Sequence, residues 1–345
     1  MKHYCGIDLG KKSSHFHIVT GERETVTAGK FANNVDAIAK VFAGREPLKI
    51  VVEASGKAFW MADRLKELGH EVVVVDPGRT KAIGAARIKH DKLDARILAE
   101  LCQTGLLAAV DVPTQQQRMA RLPFTSRDSL VRARTQMMNS VQSIVDGEGV
   151  ELPRVWKGSF SEVIRSVAPR MPAPMVPVVE RLLRGIEELS TLIDECDQEI
   201  EVVAESDPDI KLLRTVPGVG PLTAAGFVHI IRDPSRFKSS RLVAAYLGLV
   251  PSLYASGQTF IKGGITKHGN AHLRWLLHIA AGGLLRTVRE TALKRWATSL
   301  AARIGRKKAK SAIARKLATV LWAVWRRRTP FEARLCLPRP AKQVP

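Results

Sequence analysis

A carboxylate inside an apolar strand is expensive to bury unless it is paired or binds a metal, and this sequence places two in such positions. Tyr4-Cys5-Gly6-Ile7-Asp8-Leu9-Gly10 reads as a strand, Lys11-Lys12-Ser13-Ser14 as a turn, and the alternating His15-Phe16-His17-Ile18-Val19 as the returning strand. Lys49-Ile50-Val51-Val52-Glu53-Ala54-Ser55-Gly56 is a continuous buried-strand pattern that carries Glu53. The competing reading is that Asp8 only ends its strand at the Gly10 turn.

Two more carboxylates follow in Lys89-His90-Asp91-Lys92-Leu93-Asp94-Ala95-Arg96-Ile97-Leu98-Ala99-Glu100. Leu93, Ile97, Leu98 and Leu101 recur at helical spacing, so Asp91 and Asp94 project from one turn. Acids at a helix start are also favoured as caps and by the macrodipole. Four acids on three elements nonetheless point to oxygen ligation of a hard cation, Mg²⁺, which takes carboxylates from separate elements. Between these motifs lie a helix over Val35 to Phe42, helical periodicity from Phe59 to Leu68, and a strand from Glu71 to Asp76, stopped by Pro77. Strands and helices alternating after a hairpin predict an α/β domain with a mixed sheet flanked by helices.

The chain has 345 residues, 45% of them hydrophobic, enough for two or three units. Its 54 Lys and Arg against 33 Asp and Glu give a net charge of +21, and a polyanion is the economical partner. Nucleic acid fits better than a membrane, because no apolar run of roughly 18 residues exists. The amino terminus lacks a signal-peptide pattern, which predicts a cytoplasmic protein. Cys5, Cys102, Cys196 and Cys336 lack Cys-x-x-Cys spacing, so zinc and disulfide frameworks are not expected.

The middle is helical. Ser126 to Asp146 carries Leu130, Met137, Val141 and Ile144 on one face, with Arg127, Arg132 and Arg134 interspersed. The segment 147–177 is rich in Pro and Gly and reads as a connector. Val179, Leu182, Ile186, Leu189, Ile193, Cys196, Ile200 and Val203 then occupy successive a and d positions, a coiled-coil seam. Such a seam serves either a dimer or a partner helix in its own chain, and the connector would let the two helices fold back as an antiparallel hairpin.

Further on, Leu212 to Ala225, with Pro217-Gly218-Val219-Gly220-Pro221 inside it, resembles a helix-hairpin-helix, in which Gly218 and Gly220 would let backbone N–H groups approach a phosphate. Plain turn chemistry explains it equally well. Arg295 to Arg328 reads as a helix with a core face of Ile304, Ile313, Leu317, Val320 and Leu321 and a cationic face that includes Arg306, Lys307, Lys308 and Lys310. Little acid compensates these cations, which favours phosphate contact. After Pro330 the tail has little to order it.

Gly6-Ile7-Asp8-Leu9-Gly10-Lys11, Val51-Val52-Glu53-Ala54-Ser55-Gly56 and the Asp91/Asp94 segment resemble the DEDD motifs of the insertion-sequence one-hundred-and-ten family of transposases and Piv-like DNA invertases. Leu242 to Pro251, Ala255-Ser256-Gly257, Gly263 to Asn270 and Leu273-Arg274 are similar, in the same order, to that family's carboxy-terminal transposase domain. The resemblance implies an RNase H-like (RuvC-like) catalytic domain over 1–110, a helical coiled-coil region with a Pro-rich connector over 111–206, a mainly helical transposase domain over 207–330, and a tail over 331–345. It implies Mg²⁺ on Asp8, Glu53, Asp91 and Asp94, Ser256 as a nucleophile, and nucleic-acid contacts that include Lys262, Lys267 and Arg274. The partners implied are DNA at element ends and target, a structured guide RNA as used by several relatives, and further copies of the chain as a dimer or tetramer, all at a bacterial nucleoid. His90 departs from the small hydroxyl residue that many relatives carry, and Gln258 to Ile261 separate Ser256 from the first following cation, Lys262. A junction-resolving nuclease that uses metal-activated water, and a non-catalytic nucleic-acid binder, remain the alternatives.

Overall fold

The computed structural model describes residues 3–76, 91–105, 107, 109–153, 158–256 and 259–331, without the side chains of 91–93, 254–256 and 259–262. The chain forms two compact units, Met1–Met119 and Ala120–Pro345.

The first unit is built on a six-stranded mixed sheet in the order β3-β2-β1-β4-β5-β6. Its strands are β1 (Tyr4–Leu9), β2 (Ser13–Val19), β3 (Thr25–Ala32), β4 (Lys49–Glu53), β5 (Glu71–Val75) and β6 (Ala109–Val110). β1, β2 and β3 form an antiparallel meander, β4 and β5 run parallel to β1, and β6 returns antiparallel to β5. Strand β3 was not foreseen, because Thr25-Val26-Thr27-Ala28-Gly29-Lys30-Phe31-Ala32 buries only Phe31 and presents a weak alternation. Its Gly29 is explained by Phe16, whose ring lies 2.9 Å from where a Cβ at 29 would stand.

One face of the sheet buries Cys5, Ile7, Ile50, Val52, Val72 and Val74 against helices α1 (Val35–Phe42) and α2 (Ala58–Glu67). Phe16, Phe31 and Phe42 meet there at centroid separations of 5.6 to 6.0 Å. Asn34 caps α1 by accepting a hydrogen bond from the Ala37 amide at 2.8 Å. Among the described residues the other face takes one helix, α3 (Asp91–Thr104), whose Leu98 and Cys102 pack with Val51 and Val75. A short helix, α4 (Gln115–Met119), is tied to α2 by the Arg118–Asp63 ion pair.

The second unit holds nine α-helices among the described residues. α5 (Leu122–Gly147) and α7 (Val176–Ser206) form an antiparallel hairpin. Arg127 Nη2 donates to Asp197 at 3.0 Å near one end of it, and Arg134 Nη1 to Ser190 at 3.1 Å further along. Val179, Ile186, Ile193 and Ile200 of the seam are buried within this chain, Val179 and Ile186 in one cluster with Val141 and Val145 of α5, while Leu182, Leu189, Cys196 and Val203 stay partly exposed. The Pro-rich connector is not wholly irregular. It contains α6 (Phe160–Val167), opened by a Ser159/Glu162 capping box and joined to α7 through Arg165, which bonds Glu180 and Glu187 at 2.6 Å each.

The hairpin does not stand as a separate region, because Phe124, Ile200 and Ala204 enter the same core as the carboxy-terminal helices. Those helices are α8 (Pro208–Arg214), α9 (Pro221–Ile231), α10 (Ser240–Tyr246), α11 (Ala271–Arg286), α12 (Ala292–Ile304) and α13 (Arg306–Arg327), with a two-stranded sheet of β7 (Pro251–Ser256) and β8 (Thr259–Ile265) between α10 and α11. The basic region expected as one helix is two, divided at Gly305, whose φ of +81° reverses the chain. Ile313, Leu317, Val320 and Leu321 are buried as predicted, whereas Ile304, last before the break, is 38% exposed.

The sheet and α3 meet backbone to backbone at Gly6. A Cβ there would stand 2.5 Å from the Ala99 nitrogen, 2.8 Å from the Leu98 Cβ, and closer still to the Ala95 carbonyl oxygen. Replacing Gly6 by Ala should therefore lower stability by about 1–3 kcal/mol, the usual range for an overpacked core, read as a lower urea midpoint of the full chain.

Candidate active site

Strand alternation decides where the acids stand. Gly6 faces α3, so Asp8, two residues on, lies on the same sheet face, while Cys5 and Ile7 face the opposite core. Val51 likewise faces α3, and Glu53 follows it by two. The parallel register of β1 and β4 runs Tyr4↔Lys49, Cys5↔Ile50, Gly6↔Val51 and Ile7↔Val52, so Asp8 and Glu53 are the next residues on adjacent strands. Both occupy the carboxyl ends of their strands, are partly exposed, and are engaged in interactions.

The direction of α3 supplies the third element. Cys102, near its end, lies over the start of β4, with its Sγ 3.6 Å from the Lys49 carbonyl oxygen. Ala95, Leu98 and Ala99 lie over Gly6 in the middle of β1. The beginning of α3, with Asp91 and Asp94, is therefore directed toward the strand ends that carry Asp8 and Glu53. Asp94 is partly exposed one turn before Leu98. The Asp91 side chain and His90 lie outside the described residues. Among the described residues no three His, Cys, Asp or Glu side chains approach closely enough to hold a metal ion, so Asp8, Glu53 and Asp94 share a sheet end without forming a closed ligand set.

The surroundings fix this end of the sheet. Ser14, fully buried, donates to Asn33 Oδ1 at 2.6 Å, and Asn33 Nδ2 donates to the Gly10 carbonyl at 2.8 Å. Lys57 Nζ reaches the Lys11 carbonyl at 2.8 Å, linking the turn after β1 to the start of α2. Cys5 and Cys102 are buried, and desolvation pushes both thiols up, Cys102 to about 11, so each is a packed thiol rather than a nucleophile.

In the second unit Ser256 ends β7 and pairs with Thr259 of β8, so its backbone is at the tip of the hairpin. Its side chain and that of Lys262 lie outside the described residues. The recognisable motifs on either side form the base of this hairpin. A Cβ on Gly248 would stand 2.5 Å from the His268 nitrogen, and one on Gly269 would collide with the Tyr246 carbonyl oxygen. Both glycines have positive φ, +66° and +81°. The Thr266 amide donates to Val250 at 2.9 Å and the Lys267 amide to Gly248 at 3.1 Å.

Arg274 locks this crossing. Its Nη1 lies within 3.2 Å of the Leu247, His268 and Gly269 carbonyl oxygens. The residue expected to contact nucleic acid thus has a structural employment that its spacing did not reveal. Gly218 also gains a different explanation. A Cβ there would meet the Leu284 nitrogen at 2.6 Å and the Ala280 oxygen at 2.8 Å, so its bareness seats the α8–α9 turn on α11, whereas Gly220 has open space and begins α9 without a side-chain cap. Lys267 is exposed in the left-handed region at φ +58°. Arg306, Lys307, Lys308 and Lys310 are all exposed on the first turn of α13, and no ion pair involves them among the described residues.

A sheet with acids at the carboxyl ends of its central strands is followed by a strongly basic helical unit, an order that suits a protein acting on nucleic acid. Residues 5–148 match a DEDD transposase model, and residues 210–297 match the model described as Transposase IS116/IS110/IS902 family. The chain is 30% identical to a probable family 20 transposase of Pseudomonas aeruginosa, over 94% of this chain and 97% of that one. It is 29% identical to the transposase for insertion sequence element IS1111A of Coxiella burnetii, over 95% and 87%, and 25% identical to a pilin gene-inverting protein of Moraxella lacunata, over 97% and 99%. The chain belongs to the IS110/IS116 family of transposases, enzymes that cut and rejoin DNA. Its DEDD domain implies an RNase H-like fold, in keeping with the mixed six-stranded sheet. No helix among the described residues is long and apolar enough to cross a membrane.

If Arg274 holds the hairpin base, Arg274→Met should speed exchange of the Thr266 and Lys267 amides about tenfold or more, the equivalent of roughly 1–3 kcal/mol for orphaned carbonyls, while amides in the α5–α7 hairpin keep their protection. Hydrogen exchange followed by mass spectrometry reads the difference.

Proposed function

We propose that this transposase breaks DNA strands with an acidic, Mg²⁺-binding site on Asp8, Glu53, Asp91 and Asp94, and that Ser256 is the nucleophile that carries the broken end. The observation that carries the first part is the seating of α3 on Gly6, which directs the start of that helix toward the strand ends of Asp8 and Glu53. The donor set is chemically suited to Mg²⁺, being all carboxylate and drawn from two strands and a helix. Bound there, the ion would neutralise charge on a phosphate and stabilise attacking and leaving oxygens.

The residues themselves have definable work. Asp8 and Glu53 are fixed by the ladder, so their spacing is set by the sheet rather than by loops. Asp91 and Asp94 arrive on a helix that cannot slide, because its backbone is in contact with β1. In the second unit the Ser256 hydroxyl would attack phosphorus: a serine Oγ–P bond forms, one P–O bond of the strand breaks, the serine proton is released, and the leaving strand oxygen takes up a proton. A strand hydroxyl then reverses the reaction on the ester. Rejoining needs no outside energy, because the ester conserves the bond that hydrolysis would discard. The hairpin base at Gly248, Gly269 and Arg274 would position that serine. The proposal extends to a structured RNA as a guide, for which the excess of 54 basic residues over 33 acidic ones supplies backbone contacts independent of sequence.

Asp8→Asn, Glu53→Gln, Asp91→Asn and Asp94→Asn should each abolish cleavage of junction DNA while changing DNA binding little, and cleavage should cease in EDTA. Undiminished cleavage in EDTA would refute the metal site. With end-labelled junction DNA, wild-type protein should give a covalent protein–DNA band on a denaturing gel, and Ser256→Ala none; recombination by Ser256→Ala would favour attack by water instead. Recombination that survives ribonuclease treatment of protein carrying no discrete RNA would remove the guide.

A further inference from the structure

Helix α11 has two sharply different sides. Leu273, Leu276, Leu277, Ala280, Ala281 and Leu284 are buried in the carboxy-terminal core. On the opposite side His272, Trp275, Ile279, Gly282 and Arg286 fall in one stripe at helical spacing. Trp275 is 45% exposed and Ile279 51% exposed, on a helix whose other large apolar side chains are inside. This stripe plays no part in the chemistry proposed above.

At one end of the stripe, Trp275 and His272 form a wall of an open groove of about 980 Å³. The facing wall is α5, which presents Arg132, ion-paired to Asp128, with Thr135, Gln136, Asn139, Ser140 and Ser143. Trp275 therefore shares the groove with hydroxyl and amide side chains, which can donate and accept hydrogen bonds. The His272 ring lies 5.8 Å from Trp275, tilted by 33°, and its Nδ1 is 3.2 Å from Asp128 Oδ1. These contacts hold the wall in place and leave Trp275 45% exposed.

At the other end, Gly282 is buried beneath two cations. A side chain at 282 would meet Arg286 Nη1 at 3.4 Å and Lys310 Nζ at 3.9 Å. Neither cation is ion-paired among the described residues, and Lys310 belongs to the same helical turn as Arg306, Lys307 and Lys308. His278 Nε2 and Ser311 Oγ, 3.2 Å apart, join α11 to α13 just here. Like charges gathered over a bare glycine, with no acid ion-paired to either among the described residues, suit an anion. From Trp275 to Arg286 the helix rises about 16 Å, so the aromatic wall and the cationic end can be spanned by a short extended polyanion.

We propose that this stripe of α11 is a track for an unpaired nucleic-acid strand, with a base stacked on Trp275 in the α5–α11 groove and the neighbouring backbone drawn to Arg286 and Lys310. Base stacking on an exposed aromatic requires a strand whose base faces are free, which a duplex does not offer, and a cationic groove beside it holds the backbone. Gln136 and Asn139 are placed to meet the edges of the stacked base. The inference rests on the reading that this protein handles nucleic acid. It is independent of which residues perform the cleavage.

The test is fluorescence anisotropy of the full chain with labelled unpaired DNA, unpaired RNA and a blunt DNA duplex at fixed salt. Trp275→Ala should weaken binding of an unpaired strand roughly five- to hundredfold, with the duplex changed by less than about twofold, and Trp275→Phe should restore most of the loss. Arg286→Gln with Lys310→Gln should lower the slope of log affinity against log salt by about 1–2. A loss confined to the DNA arm or to the RNA arm identifies the strand. Equal loss on duplex, no loss on either unpaired strand, or a fall in the protein's mass by light scattering on Trp275→Ala, which would mean the stripe is covered by a second copy, would each overturn the proposal.

Discussion

The contact between β1 and α3 at Gly6 is the constraint on which the amino-terminal unit depends. Helices usually lie on sheets through interdigitated side chains, with the backbones held apart. Here the Ala95 and Ala99 backbone comes against the strand itself, and only a residue without a Cβ allows it. The approach removes freedom of sliding and rotation from α3. Acids on the first turns of α3 and at the ends of β1 and β4 are thus carried on rigid elements, which is what a site demanding defined oxygen geometry needs. The thin apolar layer of Val51, Val75, Leu98 and Cys102 then seals the rest of the interface.

The same device recurs around the β7–β8 hairpin in the second unit. Gly248 and Gly269 pass each other at backbone distance, and Gly218 lies against the Leu284 nitrogen in the same manner. Positive φ at all three makes any other residue doubly costly, through strain and through collision. Arg274 completes the arrangement by satisfying carbonyls that the crossing leaves without a regular ladder. Motifs that look in sequence like a string of catalytic or binding residues are in large part the joinery that holds one hairpin tip, with Ser256 as its outermost strand residue.

Legibility followed the strength of local periodicity. The continuous apolar runs of β1, β4 and β5 and the helices α1 and α2 could be placed to within a residue or two, because burial on both faces of a central strand leaves no alternative pattern. Strand β3 could not, since its outer face is polar and only Phe31 is buried. The heptad pattern of α7 revealed a buried seam but could not say whose helix would cover it, as a and d positions pack equally well against α5 or another chain. The register of β1 and β4 puts Asp8 and Glu53 on adjacent strand ends, as their places in two apolar runs suggested. Whether side chains close around an ion is set by rotamers that no spacing encodes. The backbone contacts of Arg274 and Gly218 were not legible, because a cation and a glycine near phosphate-binding signatures look alike whether they face solvent or backbone.

The first turn of α13 shows where fold and function pull in opposite directions. A helix start carries the positive end of the macrodipole and favours acids; each exposed cation there costs about 0.3–1 kcal/mol at low salt. α13 begins with Arg306, Lys307, Lys308 and Lys310, has no acid in its first turn, and starts at Gly305 with no side-chain cap. It tolerates this because its later turns bury Ile313, Leu317, Leu321 and Trp325 in the core, a stabilisation several times larger than the electrostatic cost. The helix is anchored by its far end and held electrically unfavourable at its near end. Local stability alone offers no reason for that asymmetry, whereas a polyanion would reverse its sign: cations, unsatisfied N–H groups and dipole would all attract one phosphate backbone, and the same turn that weakens the free protein would strengthen its complex with DNA.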